Sequence, residues 1–206
     1  MSTDRRDIVF ASAAMALVVL ASNILVQHPV AWGGLADYLT WGAFSYPFAF
    51  LVTDLSNRRF GPAGARKVVY AGFVAAVLLS AYFATPRIAI ASGSAFMAAQ
   101  LLDIGIFSSL RRQAWWVPPF LSSVISSALD TAIFFSLAFY CGALPGGDAT
   151  ITHALQIVGI PDSCIALPWT TLALADYAVK LALAVIAIAP YGVLLLAIRP
   201  TDRARA

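Results

Sequence analysis

Six long apolar stretches, separated by short polar segments, restrict what this chain can fold into. A helix needs roughly 20 residues to cross the hydrocarbon layer of a bilayer, and most of these stretches reach that length. We therefore predict an all-α membrane protein with six transmembrane helices in a single domain over residues 1–206. The predicted spans are about 8–27, 41–56, 68–83, 88–110, 117–140 and 170–198.

The small share of charged residues supports a lipid-facing surface. Only 11% of the residues are charged and 61% are hydrophobic, whereas a soluble domain has roughly 25% charged residues. The first apolar stretch is long and no A-x-A cleavage site follows a short core, so we interpret it as a transmembrane helix rather than a removable signal.

The positions of the basic residues predict the orientation. With the N-terminus in the cytoplasm, eleven of the thirteen basic residues fall on the cytoplasmic side, as the positive-inside rule requires. An even number of spans returns the C-terminus to the same side. The exceptions are Arg87, which falls outside, and Lys180, which falls within the sixth span. The second span is short and carries Asp54, so the alternation of charges is the main support for it.

The segment 141–169 is predicted to be an external loop, because it has two aspartates and no basic residue. Its apolar part, 151–160, is too short to span and could form a cap on the outer face. Cys141 and Cys164 both lie in this loop. The outer side permits a disulfide between them, but two small thiols can equally remain free and buried.

Several polar residues lie inside the spans, where an ionisable group costs about 2.5–3.5 kcal/mol and normally faces the bundle interior. Asp54 lies one turn before Arg58, and Asp103 lies near Arg111, so we interpret these four as structural ion pairs at helix ends. The serines at 122, 123, 126 and 127 have the spacing of close helix packing. Asp130 has no basic residue within two turns of its own helix and needs a partner elsewhere.

Other polar and aromatic residues point to a central cavity that opens to the outside. Asp176 and Lys180 are four apart, which permits a self-neutralising pair, but a buried pair rarely stabilises more than apolar residues would. Carboxylates, amides and flat aromatics together suit a purine-like heterocycle, since a carboxylate accepts two parallel N–H bonds. The candidate binding residues are Asn23, Gln27, Trp41, Phe44, Tyr46, Gln100, Asp130, Asp176 and Lys180.

Other classes of function find no support in the sequence. There is no H-E-x-x-H or G-x-S-x-G motif, and His28 and His153 fall in predicted outer loops, so we expect neither an enzyme nor a metal site, and no cofactor. The arginines lie at predicted helix ends, where they orient the chain, so we expect no nucleic-acid binding.

Several local motifs resemble those of the queuosine precursor transporter family, also called the vitamin uptake transporter family. The resemblance covers roughly residues 22–196. Its most specific strings are T-W-G-A-F-S-Y-P-F at 40–48 and T-D-L at 53–55 followed by Arg58 and Phe60-Gly61. Further matches are S-N-I-L-V-Q at 22–27, Q-L-L-D at 100–103, the run from Ser127 to Phe135, A-D-Y at 175–177 with Lys180, and P-Y-G-V-L-L at 190–195.

The resemblance implies a bacterial inner-membrane protein that imports 7-cyano-7-deazaguanine, and potentially 7-aminomethyl-7-deazaguanine, for tRNA modification. It also implies a fold similar to the substrate-binding subunits of energy-coupling-factor importers. The alternative is that the chain is itself such a subunit and depends on a separate ATP-driven partner. A homodimer is slightly favoured over a monomer, because small-residue helix faces could serve as its interface.

Overall fold

The computed structural model of the chain describes residues 3–34, 39–83, 86–139 and 169–197. These residues form helices and connecting turns without a strand; a bridge between Pro29 and Thr40 is the one extended pairing among them. The helices are α1 Thr3–Leu25, the short α2 Gly42–Ser45, α3 Phe48–Phe83, α4 Pro86–Leu110, α5 Val117–Phe139 and α6 Trp169–Ala197.

Five stretches of the described residues are long and apolar enough to cross a membrane: Arg5–Leu25, Gly42–Leu79, Arg87–Leu110, Val117–Phe139 and Thr170–Leu196. Four of them correspond to predicted spans, although α1 begins before residue 8. The predicted second and third spans, 41–56 and 68–83, lie together in the remaining stretch, because the polar segment that was expected to separate them is also helical. The predicted outer loop and its two cysteines lie outside the described residues.

A kink at Gly61 divides α3. Gly61 has φ 73° and ψ 178°, a left-handed conformation that glycine adopts without the steric cost of a Cβ atom. Pro62 follows, and proline is well suited to the first turn of a helix because its missing N–H needs no partner there. We call residues 48–60 the first limb of α3 and residues 62–83 the second limb.

The first limb runs antiparallel to α1 and parallel to α4. Ser45, just before the limb, donates to Ser22 at 2.9 Å, and Arg59 at its other end pairs with Asp7 at 2.9 Å. Residue numbers therefore rise along the limb as they fall along α1. On the other side, Thr53 bonds to Gln100 and Asn57 to the carbonyl of Ile104, so numbers rise together.

The second limb returns along the same neighbours in the opposite direction. A Cβ atom at Gly72 would lie 2.3 Å from Cγ of Met15, in the middle of α1, and 3.3 Å from the ring of Phe96. The next residue, Phe73, lies against Gly93, so numbers rise along this limb as they fall along α4. The chain thus reverses at Gly61, and Gly72 permits the close approach to α1.

Polar residues face inward and large apolar residues face outward, as expected for a protein surrounded by lipid. Leu196 and Leu174 on α6 are 89% and 70% exposed, whereas Asp103 and Gln100 on α4 are fully buried. The serines at 122, 123, 126 and 127 are buried on one face of α5 inside the chain. That face is therefore not available as the surface of a homodimer.

Candidate functional site

A buried ammonium group joins two helices at the centre of the molecule. Nζ of Lys180 on α6 lies 2.7 Å from Oδ2 of Asp130 on α5 and 2.5 Å from Oδ2 of Asp176, one turn away on its own helix. It also donates to Oγ1 of Thr131 at 3.0 Å. All three protons of the ammonium therefore have an acceptor, which is the arrangement that a buried charge requires.

Thr131 and Tyr46 extend this network. The Thr131 hydroxyl donates to Oδ2 of Asp176 at 2.8 Å, and the Tyr46 hydroxyl donates to Oδ1 of Asp130 at 3.2 Å. Nζ of Lys180 also lies 5.7 Å from the centre of the Tyr46 ring, within the range of a cation–π contact. We call Tyr46, Asp130, Thr131, Asp176 and Lys180 the central cluster.

The central cluster has two carboxylates for one ammonium group, so it carries a net negative charge when all three groups are ionised. Asp130 has a donor on each oxygen and its side chain is 5% exposed. Asp176 is 14% exposed, and its Oδ1 accepts no hydrogen bond from the described residues. Asp176 is therefore the carboxylate that can accept hydrogen bonds from another molecule.

The central cluster forms one wall of a cavity of about 420 Å³, a size typical of small-molecule sites. The cavity lies where α1 and α5 end and where α4 and α6 begin. Its wall combines the charged cluster with aromatic rings, hydroxyl groups and one amide. The residues that bring these groups are Ser22, Asn23, Thr40, Tyr46, Ser92, Phe96, Phe134, Phe135, Phe139, Asp130, Asp176 and Lys180.

Five of the nine predicted binding residues line this cavity: Asn23, Tyr46, Asp130, Asp176 and Lys180. The other four lie elsewhere. Gln27 is exposed beyond the end of α1 and donates back to the carbonyl of Asn23 at 3.2 Å. Trp41 is 38% exposed and packs between Trp32 and Phe44, where all three rings lie outside the cavity wall.

Gln100 lies one turn along α4 from Phe96, on the same face, but it is not part of the cavity wall. The Thr53 hydroxyl donates to Oε1 of Gln100 at 2.5 Å, and both side chains are fully buried. Nε2 of Gln100 has no partner among the described residues. Gln100 therefore serves the contact between α3 and α4.

The aromatic wall was missed in the sequence. Phe96, Phe134, Phe135 and Phe139 line the cavity, and Phe135 packs against Phe139 with ring centres 5.7 Å apart. A phenylalanine in an apolar helix is not distinguishable from a lipid-facing one by composition. The available signal is spacing, because Phe134 and Phe135 lie three and four residues beyond Thr131, and Phe139 lies four residues beyond Phe135 on the same helix face.

The predicted ion pairs at the helix ends differ from the contacts in the structure. Arg111 donates to the carbonyl and the side-chain oxygen of Asn57, the latter at 2.8 Å. Asp54 accepts from Ser122 at 3.3 Å, and neither Asp54 nor Asp103 is within ion-pair distance of a basic group in the described part of the chain. Both aspartates face inward, whereas Arg58 remains half-buried at the helix end, as a long charged side chain can.

Comparison with known proteins gives consistent matches. The family model described as "Putative vitamin uptake transporter" matches residues 40–85 and 78–194. The chain is 34% identical over 87% of its length to the queuosine precursor transporter of Escherichia coli, of which 82% is covered. It is 33% identical over 93% of its length to the probable queuosine precursor transporter of Haemophilus influenzae, of which 87% is covered. No solved structure matches the chain at a significant level.

Proposed function

Because the chain belongs to the vitamin uptake transporter family, a family of multi-pass inner-membrane transporters rather than enzymes, we propose that it imports a queuosine precursor into the cytoplasm. The substrate we favour is 7-cyano-7-deazaguanine, with 7-aminomethyl-7-deazaguanine as a second substrate. The observation that carries this proposal is the cavity of about 420 Å³, whose wall combines aromatic rings with the Asp176 carboxylate, one oxygen of which has no donor among the described residues.

The chemistry of a deazaguanine fits the cavity wall. Its N1–H and exocyclic amine form one donor edge, and Asp176 offers a carboxylate oxygen that has no donor among the described residues. Charge-assisted hydrogen bonds of this kind are about twice as strong as neutral ones. The phenylalanines provide flat faces for the ring, and the amide of Asn23 suits the carbonyl oxygen.

The net negative charge of the central cluster favours donor-rich or cationic molecules over anionic ones. The aminomethyl precursor carries an ammonium group, which would offset this charge. The nitrile precursor is neutral and would depend on its donor edge alone. We therefore expect both precursors to bind and an anionic nucleotide to be rejected.

We also propose that α3 crosses the membrane twice, which gives six crossings with both termini in the cytoplasm. The support is the reversal at Gly61, since the two limbs run in opposite directions along α1 and α4. The basic residues Arg58, Arg59, Arg66, Arg111 and Arg112 then share the cytoplasmic end, and the cavity opens to the outside.

Cysteine labelling tests this topology. In a variant without Cys141 and Cys164, Tyr82→Cys should react with a membrane-impermeant reagent added outside, and Arg112→Cys only after the inner side is exposed. A single crossing by α3 predicts the opposite result at both positions, because residue 82 would then lie inside and residue 112 outside.

Binding and uptake by the purified protein test the substrate. Calorimetry in detergent should detect binding of 7-cyano-7-deazaguanine and 7-aminomethyl-7-deazaguanine. Guanine should bind more weakly, and a water-soluble vitamin such as riboflavin should not bind. Proteoliposomes that contain only this chain should then take up the labelled base. Binding without uptake would instead favour the alternative, a capture subunit that needs an ATP-driven partner.

A further inference from the structure

A second pair of acidic groups lies deeper in the bundle, outside the cavity. Asp54 on the first limb of α3 is 2% exposed and Asp103 on α4 is fully buried. The two aspartates lie between the α3–α4 contacts Thr53–Gln100 and Asn57–Ile104 and act on each other electrostatically. Ser122 on α5 donates to Oδ1 of Asp54 at 3.3 Å. The pair therefore joins three helices on the side of Lys180 away from the cavity.

Among the described residues, no cation lies within ion-pair distance of either aspartate. The ion pairs among the described residues involve Asp7, Asp130 and Asp176, and neither oxygen of Asp103 accepts a well-aligned hydrogen bond from them. Two adjacent buried carboxyl groups cannot both be ionised at low cost. A proton held on one of them would provide the missing hydrogen bond to the other, as in carboxyl pairs that share one proton.

The hydroxyl group of Tyr191 on α6 is a second, independent indication. Tyr191 is 1% exposed and its hydroxyl has no partner among the described residues. It lines a small cavity of about 50 Å³ together with Asp54, Ser123, Ser127 and Lys180. A cavity needs at least about 10–15 Å³ to hold a water molecule, so this space can hold water that hydrogen-bonds to Asp54 and to the Tyr191 hydroxyl.

Among the polar groups in this region, the Asp54–Asp103 pair is the one suited to take up or release a proton. The hydroxyls of Ser122 and Ser123 face it from α5 and the phenol of Tyr191 from α6. The basic groups Arg58 and Arg111 act on Tyr191, and Lys180 lines the same small cavity as Asp54. In the central cluster, by contrast, the ammonium of Lys180 already offsets one carboxylate.

We propose that the Asp54–Asp103 pair is the site of a coupling proton, so that the chain imports its substrate together with one proton. The proposal rests on the transport function proposed above. The proton arrives from the outer side through the two cavities, forms an O–H bond on a carboxylate of the pair, and leaves to the cytoplasm when that bond breaks. The charged state of the pair disfavours the transition between outward-open and inward-open forms, and the neutral state permits it.

Coupling and transport can be measured separately in proteoliposomes that contain the full chain, with labelled 7-cyano-7-deazaguanine as the substrate. Counterflow, the exchange of labelled for unlabelled base without any gradient, measures transport alone. With the membrane potential clamped at zero, one proton per neutral base predicts about tenfold accumulation inside for each pH unit by which the interior is more alkaline. A protonophore should abolish this accumulation.

Two variants place the proton on the pair. Asp54→Asn and Asp103→Asn should retain counterflow and lose accumulation in the pH gradient. Asp7→Asn is the matched control, because Asp7 is a half-exposed partner of Arg59 at the other side of the first limb. This control should accumulate the base like the wild type. The wild-type gradient experiment does not depend on any variant, so a misfolded variant leaves the proposal testable.

Four results would overturn the proposal. Normal counterflow with no effect of a proton gradient would show uncoupled diffusion through an otherwise correct transporter. Accumulation driven by a sodium gradient alone would assign the pair to a cation instead. Full accumulation by both variants would remove the pair from the coupling. An absence of wild-type counterflow would contradict the transport function itself, and with it the coupling.

Discussion

The two pairs of aspartates inside the bundle, Asp130 with Asp176 and Asp54 with Asp103, differ in how their negative charge is compensated. Asp130 and Asp176 border a large cavity and share the ammonium of Lys180. Asp54 borders a cavity of about 50 Å³, and neither Asp54 nor Asp103 is paired with a basic group among the described residues. A carboxylate inside a membrane protein must be compensated by a cation, a donor or a proton. We therefore interpret the pair that is balanced by a cation as part of a ligand site, and the pair that would be balanced by a proton as a proton site.

The difference also determines how each pair responds to mutation. Removing one member of a buried ion pair leaves the other charge uncompensated, which is costly. Removing one member of a carboxyl pair that already shares a proton leaves no new charge. Substitutions that are chemically identical should therefore have opposite consequences in the two regions.

The largest expected effect comes from Lys180→Met. It leaves Asp130 and Asp176 as adjacent buried carboxylates without a cation, and breaking such a pair costs about 3–5 kcal/mol. We expect no uptake and a much lower thermal midpoint in detergent, measured by a fluorescent thermal-shift assay. The double variant Lys180→Met with Asp130→Asn should recover part of the stability without any uptake.

Lys67→Met is the control for this substitution, because Lys67 is exposed near the start of the second limb of α3. It should leave both uptake and the thermal midpoint unchanged. A Lys180→Met protein as stable as the wild type would show that the central cluster is not held by charge pairing.

The next effect compares one substitution in both pairs. Asp130→Asn leaves Lys180 with one fewer counter-charge and weakens a charge-assisted bond, so we expect a loss of about 1–3 kcal/mol. Asp103→Asn should leave the thermal midpoint unchanged or raise it, because an amide supplies the donor that a protonated carboxyl group would supply. Equal destabilisation by both variants would contradict the distinction between the two pairs.

The sequence was sufficient to predict the helical membrane fold and the charged residues within it that need each other as partners. Asp176 and Lys180 are four apart on one helix, and Asp130 lacks a partner on its own helix, so a shared cluster follows from helix geometry. The exact place of the break between the second and third spans did not follow, since the polar segment is helical on both sides of Gly61 and the chain reverses at this one residue with its non-helical, positive φ.

The remaining site residues depend on tertiary contacts that no local pattern encodes. The segment between α1 and α3 does border the cavity, through Thr40, Gly42 and Ala43, but Gln27, Trp41 and Phe44 are not part of the wall. The short α2 lies in this segment, where Gly42 approaches Val26 so closely that a Cβ atom would lie 2.9 Å from the backbone of Val26. Tyr46, the residue directly after α2, is the aromatic residue that reaches Asp130.

A more local effect is expected for Asp176→Asn. This change retains an oxygen for Thr131 and Lys180 but weakens acceptance of the substrate's donor edge. A lost charge-assisted bond is worth about 1.5–3 kcal/mol, so the Kd for 7-cyano-7-deazaguanine should rise roughly 10- to 100-fold in calorimetry. The thermal midpoint should change less than in Asp130→Asn. Unchanged affinity would move the donor-edge contact to another group in the cavity.

The smallest expected effect on stability comes from replacing one tyrosine in each region, Tyr46 in the central cluster and Tyr191 near the Asp54–Asp103 pair. Tyr46→Phe removes the 3.2 Å hydrogen bond to Asp130 and should cost about 0.5–1.5 kcal/mol. Tyr191→Phe removes a buried hydroxyl that has no partner among the described residues, so it should leave the thermal midpoint unchanged or raise it. If water in the small cavity uses that hydroxyl, Tyr191→Phe should still slow accumulation in a pH gradient while counterflow stays normal. If Tyr191→Phe lowered the thermal midpoint as much as Tyr46→Phe, the Tyr191 hydroxyl would have to be part of a stabilising hydrogen-bond network like that of the central cluster.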